Sequence, residues 1–187
     1  MKRVAIVSLL GGVIGMIWGF LWWTVLPFSN YSFHELKDEV EVADVLTRNA
    51  PETGTYYFPF VDPSTEDQAR MERHRQGPLG HIFIRHKGAE PMAGSVFLFG
   101  FLHLVASSFL VALLLHMAAP SLASFGIRWG FAVLIGVFGA VYHDLVYPIW
   151  FYHPWNYWLI GAVDHVLTWT LIGAVAAKLI TPETAKV

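Results

Sequence analysis

The chain has 187 residues, 55 % of them hydrophobic and only 14 % charged, with a formal net charge of −2 and no cysteine. Soluble domains carry roughly 25 % charged residues, so the composition is that of an integral membrane protein. It excludes disulfides, thiolate metal sites and Cys-ligated clusters, and the lack of a basic run excludes nucleic acid as a partner.

Charge is concentrated in one segment. Eleven of the fourteen acidic residues and seven of the twelve Lys/Arg fall between Pro27 and Pro91. The rest of the chain reads as four apolar stretches. The expected fold is an all-α integral membrane protein: an antiparallel four-transmembrane-helix bundle with a small extracytoplasmic α/β insert between helices 1 and 2.

Residues 4–26 are the first expected transmembrane helix, long enough for one crossing. A cleaved signal peptide has a shorter apolar core and a small-residue cleavage site, so the stretch reads as an uncleaved anchor. Gly11, Gly15 and Gly19 repeat every four residues and are the candidate helix-packing stripe. Trp18, Trp22 and Trp23 fit an interfacial aromatic belt.

Residues 27–91 are the polar insert. Ser32 and Glu35 have the spacing of a capping box, which predicts a helix to about Arg48. A strand is expected over residues 54–61, with Pro59 confining it to a sheet edge. Asp62 as N-cap and Pro63 at the first helical position predict a second helix. Glu66 and Asp67 lie in its early turns, and Gly77-Pro78 ends it. His81 to His86 reads as a second strand.

Residues 93–119, 125–147 and 157–180 are the remaining expected spans. Their short links make neighbours antiparallel. Lys2, Arg3, Arg128, Lys178 and Lys186 then fall on one side. The opposite short loop, Trp150 to Asn156, has no Lys or Arg. The positive-inside rule puts both termini in the cytoplasm and residues 27–91 outside, and the order of parts looks like that of a small bacterial inner-membrane protein.

One constellation has the residue types for chemistry. His143-Asp144 and Asp164-His165 mirror each other about Pro154, so a hairpin turn there brings them to similar depth. At ~1.5 Å per residue they lie roughly 5 to 12 Å below the outer boundary. His103, on the second span, approaches the same region from below. Ionisable groups inside a membrane usually turn inward and find partners.

His103, His143, Asp144, Asp164 and His165 are therefore the candidate metal ligands, since imidazole and carboxylate suit Zn, Cu, Fe or Mn. A b-type haem between two of the histidines is a second reading. A proton path or quinol-type pocket is a third. The plainer reading pairs His143 with Asp164 and Asp144 with His165 as interhelical glue. On that reading Asp164→Asn costs little, because an amide still hydrogen-bonds. The ring-rich loop of Trp150, Tyr152, Trp155, Tyr157 and Trp158 reads first as an aromatic belt.

No catalytic motif is present. The leading functional expectation is a non-enzymatic accessory or scaffolding subunit of a membrane complex, with the bilayer and other subunits or a second copy as partners. The competing expectation is a redox or ion- and proton-handling protein that uses the His/Asp cluster.

Overall fold

The computed structural model describes residues 1–60, 64 and 68–182. In chain order, α1 (Lys2–Phe20) runs into a π-helical turn (Leu21–Val25) and a short α2 (Ser29–Ser32). Then come α3 (Glu39–Asn49), β1 (Gly54–Phe58), α4 (Gln68–Gln76) and β2 (Gly80–Ile84). α5 (Gly94–Ala118) ends in a 3-10 turn, and α6 (Phe125–Gly139) runs into a second π turn (Ala140–Asp144). α7 (Val146–Trp150) and α8 (Trp155–Leu179) complete the chain. Two compact units result: Met1–His34 with Met92–Val187, and Glu35–Pro91.

In the larger unit, four helical stretches are long and apolar enough to cross a membrane: Lys2–Val25, Gly94–Ser121, Phe125–Trp150 and Trp155–Leu179. α1 packs on both α5 and α8, and α6 packs on α8. Numbering runs oppositely across each seam. Gly11 abuts Ser108 and Gly15 abuts Leu104. Arg3 bonds to Thr181, while Trp18 bonds to Asp164. Gly136 abuts Trp169, and Gly173 abuts Ala132. These three seams are therefore antiparallel.

The glycine stripe is used only in part. A Cβ on Gly15 would lie 2.9 Å from Leu104, and one on Gly11 would strike Ser108. A Cβ on Gly19 would meet nothing within 4 Å, so Gly19 is not a packing residue. Gly12 is one instead, since its Cβ would lie 2.5 Å from Val105. The α1–α5 contact thus follows Gly11, Gly12 and Gly15, and the seam leaves Gly19 behind.

The dry core is at the end where Val4, Val7, Ala112, Leu115, Ala119, Ala176 and Ile180 meet. Arg128 is buried there, contrary to an interfacial cation. Its Nε donates to Ala177 O at 2.9 Å, and its Nη1 to Leu122 O and Ala123 O at 3.0 and 2.9 Å. A cation is favourable where helix C-termini leave carbonyls unpaired. Large side chains such as Leu9, Ile17, Leu98, Leu110, Leu134 and Phe138 are exposed on the outer faces.

The smaller unit is α3-β1-α4-β2. The strands pair antiparallel, from Gly54↔Ile84 to Phe58↔Gly80. β1 stops before Pro59, which has no N–H to give a ladder. The N-cap of α3 is Asp38, not Ser32: Asp38 Oδ1 accepts from Glu41 N at 2.8 Å. Ser32 ends the short α2, and its hydroxyl turns back to Phe28 O. Phe33 is extended, so the helix starts later. Val61, Asp62, Pro63, Glu66 and Asp67, which carried the expected strand end and helix start, lie outside the described residues. α4 ends at Gln76, just before Gly77-Pro78. His86 falls beyond β2, and its ring bonds to Ala50 O at 2.6 Å.

Candidate functional site

Both π turns face the end of the larger unit opposite its dry core. In a π turn the backbone bonds i to i+5, as Leu26 N to Leu21 O and Leu145 N to Ala140 O do here. Residues five apart then stack on one side. On an α-helix they would point about 140° apart at about 100° per residue.

The second turn delivers such a pair to α8, and the first brings Trp23 to the side of Trp18, which lies in α1. Trp18 and Trp23 both donate their indole N–H to Asp164, at 2.8 Å to Oδ1 and 2.8 Å to Oδ2. Thr168 adds a longer bond to Oδ1 at 3.4 Å. Gly139 and Asp144 both reach His165. A Cβ on Gly139 would lie 2.6 Å from His165 Nε2, so the ring stands where a side chain would go. Asp144 Oδ2 is 3.3 Å from His165 Nδ1.

Asp144 is the buried centre of the cluster. Its Oδ1 accepts from His143 Nδ1 at 2.9 Å. Its Oδ2 is near His165 but poorly aligned with it, and has no formed hydrogen bond. The carboxylate therefore sits between two imidazoles. With Nδ1–H given to Asp144, His143 keeps a free lone pair on Nε2. The His143 side chain is 62 % exposed, so this edge is accessible. Its ring is steadied edge-on by Tyr147 and Trp158, which stack on each other with centroids 4.0 Å apart.

A cavity of about 580 Å³ opens beside the cluster. His103, Ser107, His143, Asp144, Asp164, His165 and Thr168 supply its polar lining. Trp23, Tyr157, Trp158 and Trp169 supply ring walls. Because His103 and His143 are exposed, it is a cleft open to the side of the unit and not a sealed chamber.

All five sequence-derived candidates thus line one cleft, but their pairing differs from the expected one. Asp144 does meet His165. Asp164 does not meet His143, because it turns to the indoles of α1 and its π turn. Both oxygens of Asp164 accept from indoles, so a metal ion there would compete with those bonds. Among the described residues, no three His, Asp or Glu side chains form a group that could hold a metal. His165 is wedged between Gly139 and Asp144, which leaves it poorly placed as an axial haem ligand.

The sequence reading missed the indole donors, Gly139 and the Tyr147–Trp158 stack. The available signal was the spacing of Gly139 and Asp144, which stacks the two only on a π turn. Trp22 is buried against Phe28, with centroids 4.1 Å apart, and so does not belong to a lipid-facing belt.

Comparison of the chain with protein-family models, with curated proteins and with solved structures found no match.

Proposed function

We propose that this protein is a non-enzymatic accessory subunit of a bacterial inner-membrane complex, and that its cleft binds a small bilayer-soluble molecule. Its four long helices cross the membrane, with both termini in the cytoplasm and residues 27–91 outside. The apolar outer faces support insertion, since contiguous exposed apolar surface of this extent suits lipid and not water.

One observation carries the binding reading. The two π turns among the described residues both contribute to the same cleft: Trp23 of the first joins Trp18 of α1 on Asp164, and the second brings Gly139 and Asp144 to His165. π-bulges are frequently found at functional sites. A volume of about 580 Å³ lies within the roughly 300–1,000 Å³ of small-molecule pockets.

The two halves of the cluster have different roles. Asp164, held by Trp18, Trp23 and Thr168, fixes the helix ends around the cleft. His143, backed by Asp144, presents its exposed Nε2 edge to the ligand. The glycine stripe adds nothing to a scaffolding role, because Gly11, Gly12 and Gly15 pack inside the chain.

Gly161 supplies the test. It lines the cleft, and a Cβ there would meet nothing within 4 Å. Gly161→Leu therefore extends into the cleft from a Cβ that meets no neighbour. Native mass spectrometry of the full chain, released gently from its membrane, should reveal a bound small molecule that Gly161→Leu loses. Identical ligand-free spectra for both proteins would overturn the reading.

A further inference from the structure

We infer that the molecule bound in the cleft is a quinol: a flat ring bearing hydroxyl groups, on a lipid tail. The inference rests on the reading that the cleft binds a bilayer-soluble ligand, and it deepens that reading by excluding other ligand chemistries in turn.

An anionic ligand is disfavoured. Two carboxylates line the cleft, and no Lys or Arg is among the lining residues. A fatty acid or a phosphate headgroup would meet like charge with no counter-ion. An organic cation is also disfavoured, although rings and carboxylates often form cages for cations. Both oxygens of Asp164 already accept from indole N–H groups. Asp144 is buried between His143 and His165. The charge of each carboxylate is thus already met by donors, two indoles at Asp164 and imidazole nitrogens at 2.9 and 3.3 Å from Asp144.

What remains open is neutral and directional. The neutral imidazole of His143 that gives Nδ1–H to Asp144 presents a lone pair at Nε2. It therefore asks for a hydroxyl donor. The carboxylate behind it strengthens that bond by polarising the ring. His103 and Ser107 bring a second polar edge from α5. Between them, Trp23, Tyr157, Trp158 and Trp169 offer flat faces, on which an aromatic ring packs offset or edge-on. The lateral opening leaves room for a tail among the lipids. A hydroxyl-bearing aromatic ring on an apolar tail satisfies each of these demands.

The test uses the full chain in phosphatidylcholine nanodiscs and follows thermal unfolding, since a ligand that binds only the folded state raises its stability. The probes are decylubiquinol, its bis-O-methyl ether, tetraphenylphosphonium and laurate. Decylubiquinol should raise the melting temperature saturably, and the ether, which keeps ring and tail but has no hydroxyl, should bind about tenfold or more weakly for one lost hydrogen bond to His143. His143→Phe should abolish the shift by decylubiquinol, and it should also lower the ligand-free melting temperature, because it takes the donor from buried Asp144. Gly161→Leu should abolish it as well. Equal stabilisation by quinol and ether would overturn the hydroxyl–His143 contact. Stabilisation by tetraphenylphosphonium or laurate, sensitive to Gly161→Leu, with none by quinol, would overturn the quinol assignment and leave the binding cleft intact. No response to any probe would overturn both.

Discussion

The His165 ring stands where a side chain on residue 139 would go: a Cβ on Gly139 would lie 2.6 Å from His165 Nε2. Gly139→Ala must therefore push the ring away from Asp144. Overpacking of this kind costs about 1–3 kcal/mol. Gly130→Ala, on the same helix with nothing within 4 Å of its Cβ, should be neutral or stabilising by up to about 1 kcal/mol. Thermal unfolding of the two variants side by side checks the contrast, and equal melting temperatures would contradict the wedge.

Asp164→Asn should be more costly than interhelical glue alone suggests. Both carboxylate oxygens accept from indole N–H groups. An amide offers one oxygen and one NH₂, so one indole would face another donor. Leaving a buried donor unsatisfied costs about 1–3 kcal/mol. Trp18→Phe combined with Asp164→Asn should recover part of that loss, because it removes an indole donor that the amide cannot accept from. A double-mutant cycle of unfolding free energies reads the coupling. Strict additivity would show that the two indoles do not share this acceptor.

A one-residue deletion tests the second π turn. Val141 lies within it and is exposed. Removing it lets the segment close as ordinary α-helix, in which Gly139 and Asp144 become i, i+4 neighbours about 40° apart. Asp144 should therefore keep its place beside His165, and the cleft its buried carboxylate. The fold should survive, since the dry core is at the other end. Retained probe binding by the deletion variant is the expected result, and its loss would mean that the extra residue itself shapes the site.

Much of the architecture was legible before the structure. Runs of about twenty apolar residues announce long helices whatever their tertiary contacts. Gly77-Pro78 and Asn49-Ala50-Pro51 end helices for local backbone reasons. The start of α3 was less legible because Ser32 and Asp38 are both acceptors with a Glu three residues on. Asp38 prevails because Ser32 closes the preceding short helix. The convergence of His143, Asp144, Asp164 and His165 followed from hairpin depth, and that of His103 from its depth along the second span. Their pairing did not, because one extra residue in a helix that is apolar all round leaves no break in periodicity. The π turns, and with them the partners Trp18, Trp23 and Gly139, are set by tertiary packing.

Membrane orientation has its own check. A reporter inserted at Gly88, which is exposed and has nothing within 4 Å of its Cβ, should act as extracytoplasmic. One fused to the C-terminal end should act as cytoplasmic. The reversed pair of signals would invert the proposed topology and place the cleft nearer the cytoplasmic face.

The central claim is that His143, Asp144 and His165 act as one unit at the edge of an accessible cleft. Nitrogen-15 NMR of histidine-labelled full chain in nanodiscs tests it most directly, comparing wild type with Asp144→Asn. The account predicts that the ring-nitrogen signals of His143 and His165 move together, with His143 losing its Nδ1–H tautomer preference, while those of His103 and His116 stay in place. Unchanged His143 and His165 signals in the variant would contradict it.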